Sequence, residues 1–160
     1  MKIIGKTTFF FFFLLVATLL TALQSHAQER MTRAEYIAKW RHIAIDNMET
    51  YGIPASITMA QGLLESGAGN SELARKSNNH FGIKCKSTWT GDKVYHDDDA
   101  KGECFRAYPT VEESYEDHAE FLDQSPRYDS LFAYSSSDYR SWARGLKAAG
   151  YATAPDYAQR

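Results

Sequence analysis

Cysteine is scarce in this chain: Cys85 and Cys104 are the only two among 160 residues. They lack the CxxC spacing of a structural zinc site. His80, His96 and His118 likewise lack the HxxxH spacing that sets two imidazoles on one helix face. No metal and no organic cofactor are therefore expected. Basic charge is not in excess either. Lysine and arginine number 18 against 20 aspartates and glutamates, whereas a nucleic-acid-binding domain wants a basic face. Nucleic acid is not an expected partner. There is no internal repeat, and no segment reads as a parallel sheet. One long apolar run exists, Phe9 to Leu23. Its fifteen residues fall short of the roughly 20 that a membrane-spanning helix needs.

Lys2 and Lys6 precede that run, and Ser25-His26-Ala27 follow it. A basic start, an apolar middle and small residues before a cut describe a secretory signal peptide over residues 1–27. An uncleaved anchor is the alternative. Residues 28–160 then form one domain's worth of chain. An exported protein is expected, periplasmic, envelope-held or secreted, with no stable membrane span after cleavage. Cleavage takes two basic residues and no acidic one, which moves the net charge to about −4. In an oxidising compartment the even cysteine pair is expected to close a Cys85–Cys104 disulfide. A loop of about 20 residues would contribute roughly 3 kcal/mol. Two free thiols in a core are the alternative.

Helix signals dominate the rest. Thr32 and Glu35 form a capping box, and Tyr36, Ile37, Trp40, Ile43, Ala44 and Met48 follow at helical spacing up to Tyr51-Gly52. Ser71 can cap a short helix through Lys76. Thr110 and Glu113 form a second capping box before Ser114, Tyr115, His118, Phe121 and Leu122. Asp138 can cap a last full helix with Tyr139, Trp142, Ala143, Leu146 and Ala149 inward. Asp156 to Arg160 reads as the opening of a helix left incomplete. Between Lys86 and Tyr108 two short extended runs flank Asp97 to Gly102, a β-hairpin signature. Its acidic turn fails as a calcium loop, because the twelfth position is Tyr108 rather than glutamate.

The stretch Pro54 to Asn70 carries the chemistry. Pro54 suits a first helical turn. Ile57, Met59, Ala60, Leu63 and Leu64 give an apolar face, and Gly67 and Gly69 end the run. Glu65 falls in the last turn. The negative helix end and apolar neighbours both disfavour its charge. A carboxyl pKa raised in that way suits a general acid near neutral pH.

Two motifs then place the chain. Ala60-Gln61-Gly62-Leu63-Leu64-Glu65-Ser66-Gly67 continues to Ser77-Asn78-Asn79-His80-Phe81-Gly82-Ile83-Lys84. Far downstream stands Ala149-Gly150-Tyr151-Ala152-Thr153-Ala154-Pro155-Asp156-Tyr157-Ala158. Together they resemble the bacterial cell-wall glucosaminidases, glycoside hydrolase family 73, related to the muramidase domain of flagellar rod-assembly proteins. The resemblance runs from about Thr32 to Arg160. It implies an α+β, lysozyme-like fold: a mainly helical body, a small β-hairpin lobe and a substrate groove between them. It implies an endo-β-N-acetylglucosaminidase that acts on peptidoglycan glycan strands; a monomer is expected.

The resemblance also distributes roles. Glu65 would be the general acid. Asn79, Phe81 and Gly82 would line the sugar groove, and Tyr151 and Tyr157 would close it, Tyr151 beside the reacting sugar. The family places an acid four residues before a turn glycine, which gives Asp98 before Gly102. The surrounding residues depart from the family pattern, so Asp97, Asp99 or the substrate's own acetamido group are alternatives for that step. A lytic transglycosylase and a non-catalytic peptidoglycan-binding protein are the rival functions.

Overall fold

A computed structural model describes residues 30–159. From Met31 on, these residues form one compact unit, and everything below concerns it. The signal peptide expected over residues 1–27 lies outside the described residues. Among those residues no helix is long and apolar enough to cross a membrane.

The helices begin where the side-chain caps predict. α1 spans Arg33–Tyr51. Thr32 Oγ1 accepts from the Glu35 amide and the Glu35 carboxylate accepts from the Thr32 amide, so two orphan donors are satisfied at once. Gly52, at φ 77°, ends it, its backbone N–H donating a hydrogen bond to the Met48 carbonyl. α2 spans Ala55–Glu65 behind Pro54. α3, Glu72–Ser77, starts at Ser71, whose hydroxyl accepts from the Ala74 amide. Strands β1, Lys93–His96, and β2, Glu103–Arg106, form an antiparallel hairpin in which Tyr95 faces Cys104 and His96 faces Glu103. α4, Val111–Asp123, is capped by Thr110, and α5, Tyr139–Ala148, by Asp138. A 3-10 segment, Pro126–Ala133, joins them, and a last 3-10 turn covers Tyr157–Gln159. That turn is what becomes of the helix opening expected after Asp156. The α+β architecture is as anticipated, a helical body with one small hairpin.

Two apolar clusters hold the body. Tyr36, Trp40, Ile43 and Ala44 of α1 pack with Met59 of α2, Phe81, Ile83 and Tyr115. Ile53, Ile57, Leu122, Tyr128, Leu131, Trp142, Leu146 and Tyr157 make the second. Helical spacing overstates the buried stripes. Ile37, Leu64 and Tyr139 are all at least 40% exposed. α1 meets its neighbours along a strip narrower than its apolar spacing, and Asn47 rather than a further apolar residue takes the buried place beside α4. Its side-chain amide donates to the Tyr115 carbonyl at 2.9 Å, which spares a buried polar group the cost of going unpaired.

Candidate active site

Glu65 is placed by the way α2 stops. The Ser66 hydroxyl donates to the Gly62 carbonyl and accepts from the Gly69 amide at 2.7 Å. Gly67, Ala68 and Gly69 all take positive φ, between 57° and 75°, a conformation that glycine adopts freely and alanine does not. The chain therefore reverses abruptly, and the last helical residue is left at the rim of a groove of about 540 Å³. Glu65 is exposed there. Its setting is thus a solvated helix end rather than the apolar enclosure that the neighbouring leucines foretell.

The same groove is lined by Phe81, Gly82, Asp98, Asp99 and Tyr151, all expected as site residues, Asp99 as an alternative to Asp98. Phe81 is almost fully buried and stacks on His118 with ring centroids 3.9 Å apart. Gly82, at φ 62°, lets the loop turn without a side chain at the groove surface. Tyr151 stacks on Tyr157 at 5.9 Å and meets His118 and Tyr128 edge-on or tilted. Burial raises its phenol well above the ordinary tyrosine range, and Tyr157 and the Glu65 charge push it further. Tyr151 is therefore a protonated hydrogen-bond donor throughout the neutral range.

Two expected groove residues sit elsewhere. Asn79 is 1% exposed. Its amide nitrogen donates to the carbonyls of Ile83 and Arg106, and its oxygen accepts from the Phe81 and Ile83 amides. With every polar atom engaged, it fastens the loop to β2 and so positions Phe81 and Gly82 from behind. Tyr157 belongs to the second apolar cluster, where its hydroxyl accepts from Gln61 Nε2 at 3.1 Å. It backs Tyr151 rather than facing the groove.

The hairpin reaches the groove through a covalent and a backbone tie. Cys85 and Cys104 form the expected disulfide, and the Cys85 amide donates to the Cys104 carbonyl at 2.8 Å. Within the turn the three acids separate. Asp97 Oδ1 accepts from the Gly102 amide at 2.7 Å, which commits it to the turn, and it is not among the groove-lining residues. Asp98 and Asp99 are. Lys84 Nζ lies 3.6 Å from Asp98, 3.0 Å from Asp99 and 2.9 Å from Glu103. The hydrogen bonds to Glu103 and then to Asp99 raise the Lys84 pKa above its ordinary range. The acidic trio Asp98, Asp99 and Glu103 gathers within 4.8 Å, and one ammonium ion offsets its repulsion.

Lys84 as this anchor was not foreseen, nor were Lys86, Phe121 and Arg127 as groove residues. Lys86, Phe121 and Arg127 come from three separate segments, and no spacing connects them. Lys84 alone had a local signal, since it closes the same Asn79-to-Lys84 stretch that the site was read from.

Comparison with known proteins fits this geometry. Residues 41–160 match the glucosaminidase family, described as mannosyl-glycoprotein endo-beta-N-acetylglucosaminidase. The peptidoglycan hydrolase FlgJ of Vibrio parahaemolyticus is 32% identical over 148 residues, covering 85% of this chain and 48% of that protein. The exo-glucosaminidase LytG of Bacillus subtilis is 38% identical over 123 residues, covering 70% of this chain and 43% of that protein. The chain thus spans about half, or less, of the length of these curated relatives. A peptidoglycan hydrolase from Sphingomonas sp. A1 superposes with a TM-score of 0.69 at 34% identity, over 80% of this chain and 83% of that one. The glycoside hydrolase domain of Salmonella typhimurium FlgJ superposes at 0.66 and 30% identity, over 81% and 83%.

Proposed function

The chain belongs to the glucosaminidase family, and on that premise we propose that it hydrolyses peptidoglycan glycan strands at β-1,4 bonds after N-acetylglucosamine. The observation that carries this reading is the convergence of Glu65, Asp98 and Tyr151, remote in sequence, on one groove. Glu65 at the rim donates its proton to the departing glycosidic oxygen. Cleavage then needs a partner on the opposite face of the sugar. Asp98, on the hairpin turn that lines the same groove, activates water there. An inverting mechanism of that kind works with carboxyls about 6.5–9.5 Å apart, which leaves room for the water. Tyr151, held protonated, donates to the acetamido group and fixes the sugar's orientation. The enzyme acts outside the cytoplasm, after export, as a monomer.

The test is incubation of the purified protein with peptidoglycan, reduction of the products and identification of their ends by mass. New N-acetylglucosamine reducing ends are expected. Glu65→Gln should lower kcat by about 10²–10⁴-fold, the usual contribution of general acid catalysis. Anhydro ends would instead assign a transglycosylase. A folded protein that binds glycan and never cleaves it would overturn the enzymatic reading.

A further inference from the structure

One wall of the groove carries a run of cations on aromatic rings that the hydrolytic chemistry does not use. Lys86 Nζ lies 5.0 Å from the centroid of Phe121. Phe121 meets Tyr128 at 5.8 Å. The Arg127 guanidinium lies 5.6 Å from the Tyr128 centroid, and Tyr128 meets Tyr151 at 6.2 Å. The ledge is therefore continuous from Lys86 to the tyrosine placed beside the reacting sugar. All of these residues line the groove, and Lys86 and Arg127 are exposed in it.

Among the lysines and arginines that line the groove, Lys86 and Arg127 differ from Lys84 in making no ion pair. Lys84, on the hairpin side, is held by three carboxylates, and Arg106 by Asp117. Among the described residues, neither Lys86 nor Arg127 makes an ion pair. In a protein with more acidic than basic residues, two cations that make no ion pair among the described residues line one groove. The rings beneath fix each head group over a π face, which favours a cation there and limits the entropy lost when an anion binds.

We infer that the Lys86–Phe121–Tyr128–Arg127 ledge is a subsite for carboxylates carried on the glycan. It rests on the reading of the groove as a peptidoglycan site. Two groups on that polymer could supply the charge: the acidic peptide stem on the muramyl residue, or the muramyl lactyl carboxylate once the peptide is removed. In intact strands the lactyl carboxyl is locked in an amide, so the stem carboxylates are the occupant the ledge takes. The protein would then prefer strands that still bear peptides.

The test compares three strands: peptide-bearing, peptide-free with free lactyl carboxylates, and peptide-free with those carboxylates converted to methylamides. The proteins are wild type, Lys86→Gln/Arg127→Gln and the charge-conserving Lys86→Arg. The expected result is an approximately tenfold fall in the kcat/KM ratio of peptide-bearing to methylamide strands in the double variant. That is the scale of losing rim charges, and it should appear mainly in KM, weaken with salt and be absent in Lys86→Arg. A fall seen for the lactyl strand alone would keep a carboxylate site and name the other source. An unchanged ratio on every strand would overturn the proposal. If wild type cuts no strand, the hydrolytic reading fails by itself. Equilibrium binding of the same strands, weaker in the double variant for the charged ones alone, then decides the subsite separately.

Discussion

Tyr36 and His80, on α1 and on the loop behind the groove, are joined by a 2.8 Å bond between the phenol oxygen and Nδ1. Tyr115 donates to the Tyr36 hydroxyl, also at 2.8 Å. With its oxygen accepting from Tyr115, the Tyr36 hydroxyl is placed to donate to His80 Nδ1, the arrangement of a neutral imidazole. Burial agrees, pushing the His80 pKa down to about 4.

The crossing that brings these hydroxyls together depends on Gly62. A Cβ there would meet Tyr36 Oη at 2.6 Å and Tyr115 Oη at 3.0 Å. Gly62→Ala should therefore destabilise the protein, despite alanine's better helix propensity, by about 1–3 kcal/mol from overpacking. Urea unfolding would check it; an unchanged or raised midpoint would show that the tyrosines yield freely.

Acid should unfold the protein through its buried histidines. His118 is fully buried, its pKa is lowered to about 3, and neither ring nitrogen has a hydrogen-bond partner among the described residues. An unfolded histidine titrates near pH 6.5. Between that value and the folded ones the unfolded chain binds more protons, so stability is fully present above about pH 6.5 and falls as pH drops. Each histidine contributes a slope of up to about 1.4 kcal/mol per pH unit. Unfolding free energies at pH 7, 6 and 5 should show a slope approaching two protons near pH 5. His118→Phe, able to keep the stack on Phe81, should reduce that slope by about one proton.

The disulfide should matter more to the hairpin than to the helices. A two-stranded hairpin is marginal by itself, and its ties to the loop include the bond between Cys85 and Cys104. Replacing both cysteines by serine should cost about 3 kcal/mol, given the sequence separation of 19. Activity should be lost on warming before the far-ultraviolet helix signal. Coincident loss of both would mean that the hairpin does not unfold separately.

Asp98 and Asp99 can be told apart by substitution, and product stereochemistry shows whether either activates water. Asp99 is 3.0 Å from Lys84 and 86% exposed, whereas Asp98 is 3.6 Å away and 54% exposed. Asp98→Asn should lower kcat by about 10²-fold or more, Asp99→Asn by much less, and nuclear magnetic resonance should show an inverted anomer. A retained anomer with an active Asp98→Asn variant would give the step to the substrate's acetamido group.

The sequence alone determined what depends on neighbours a few residues apart. Thr32, Ser71, Thr110 and Asp138 cap their helices because a capping oxygen reaches only two or three residues along the chain. The Gly102 turn, the hairpin around it and the end of α2 at Glu65 were legible for the same reason. The fate of Asn79, Tyr157 and Lys84 was not. Asn79 became a loop fastener, Tyr157 a core ring and Lys84 a counter-ion because segments remote in sequence packed against them. Only the tertiary structure decided which carboxylates share one ammonium ion and which cations go unpaired, since burial and Coulomb energy depend on distance in space, and spacing along the chain does not encode it.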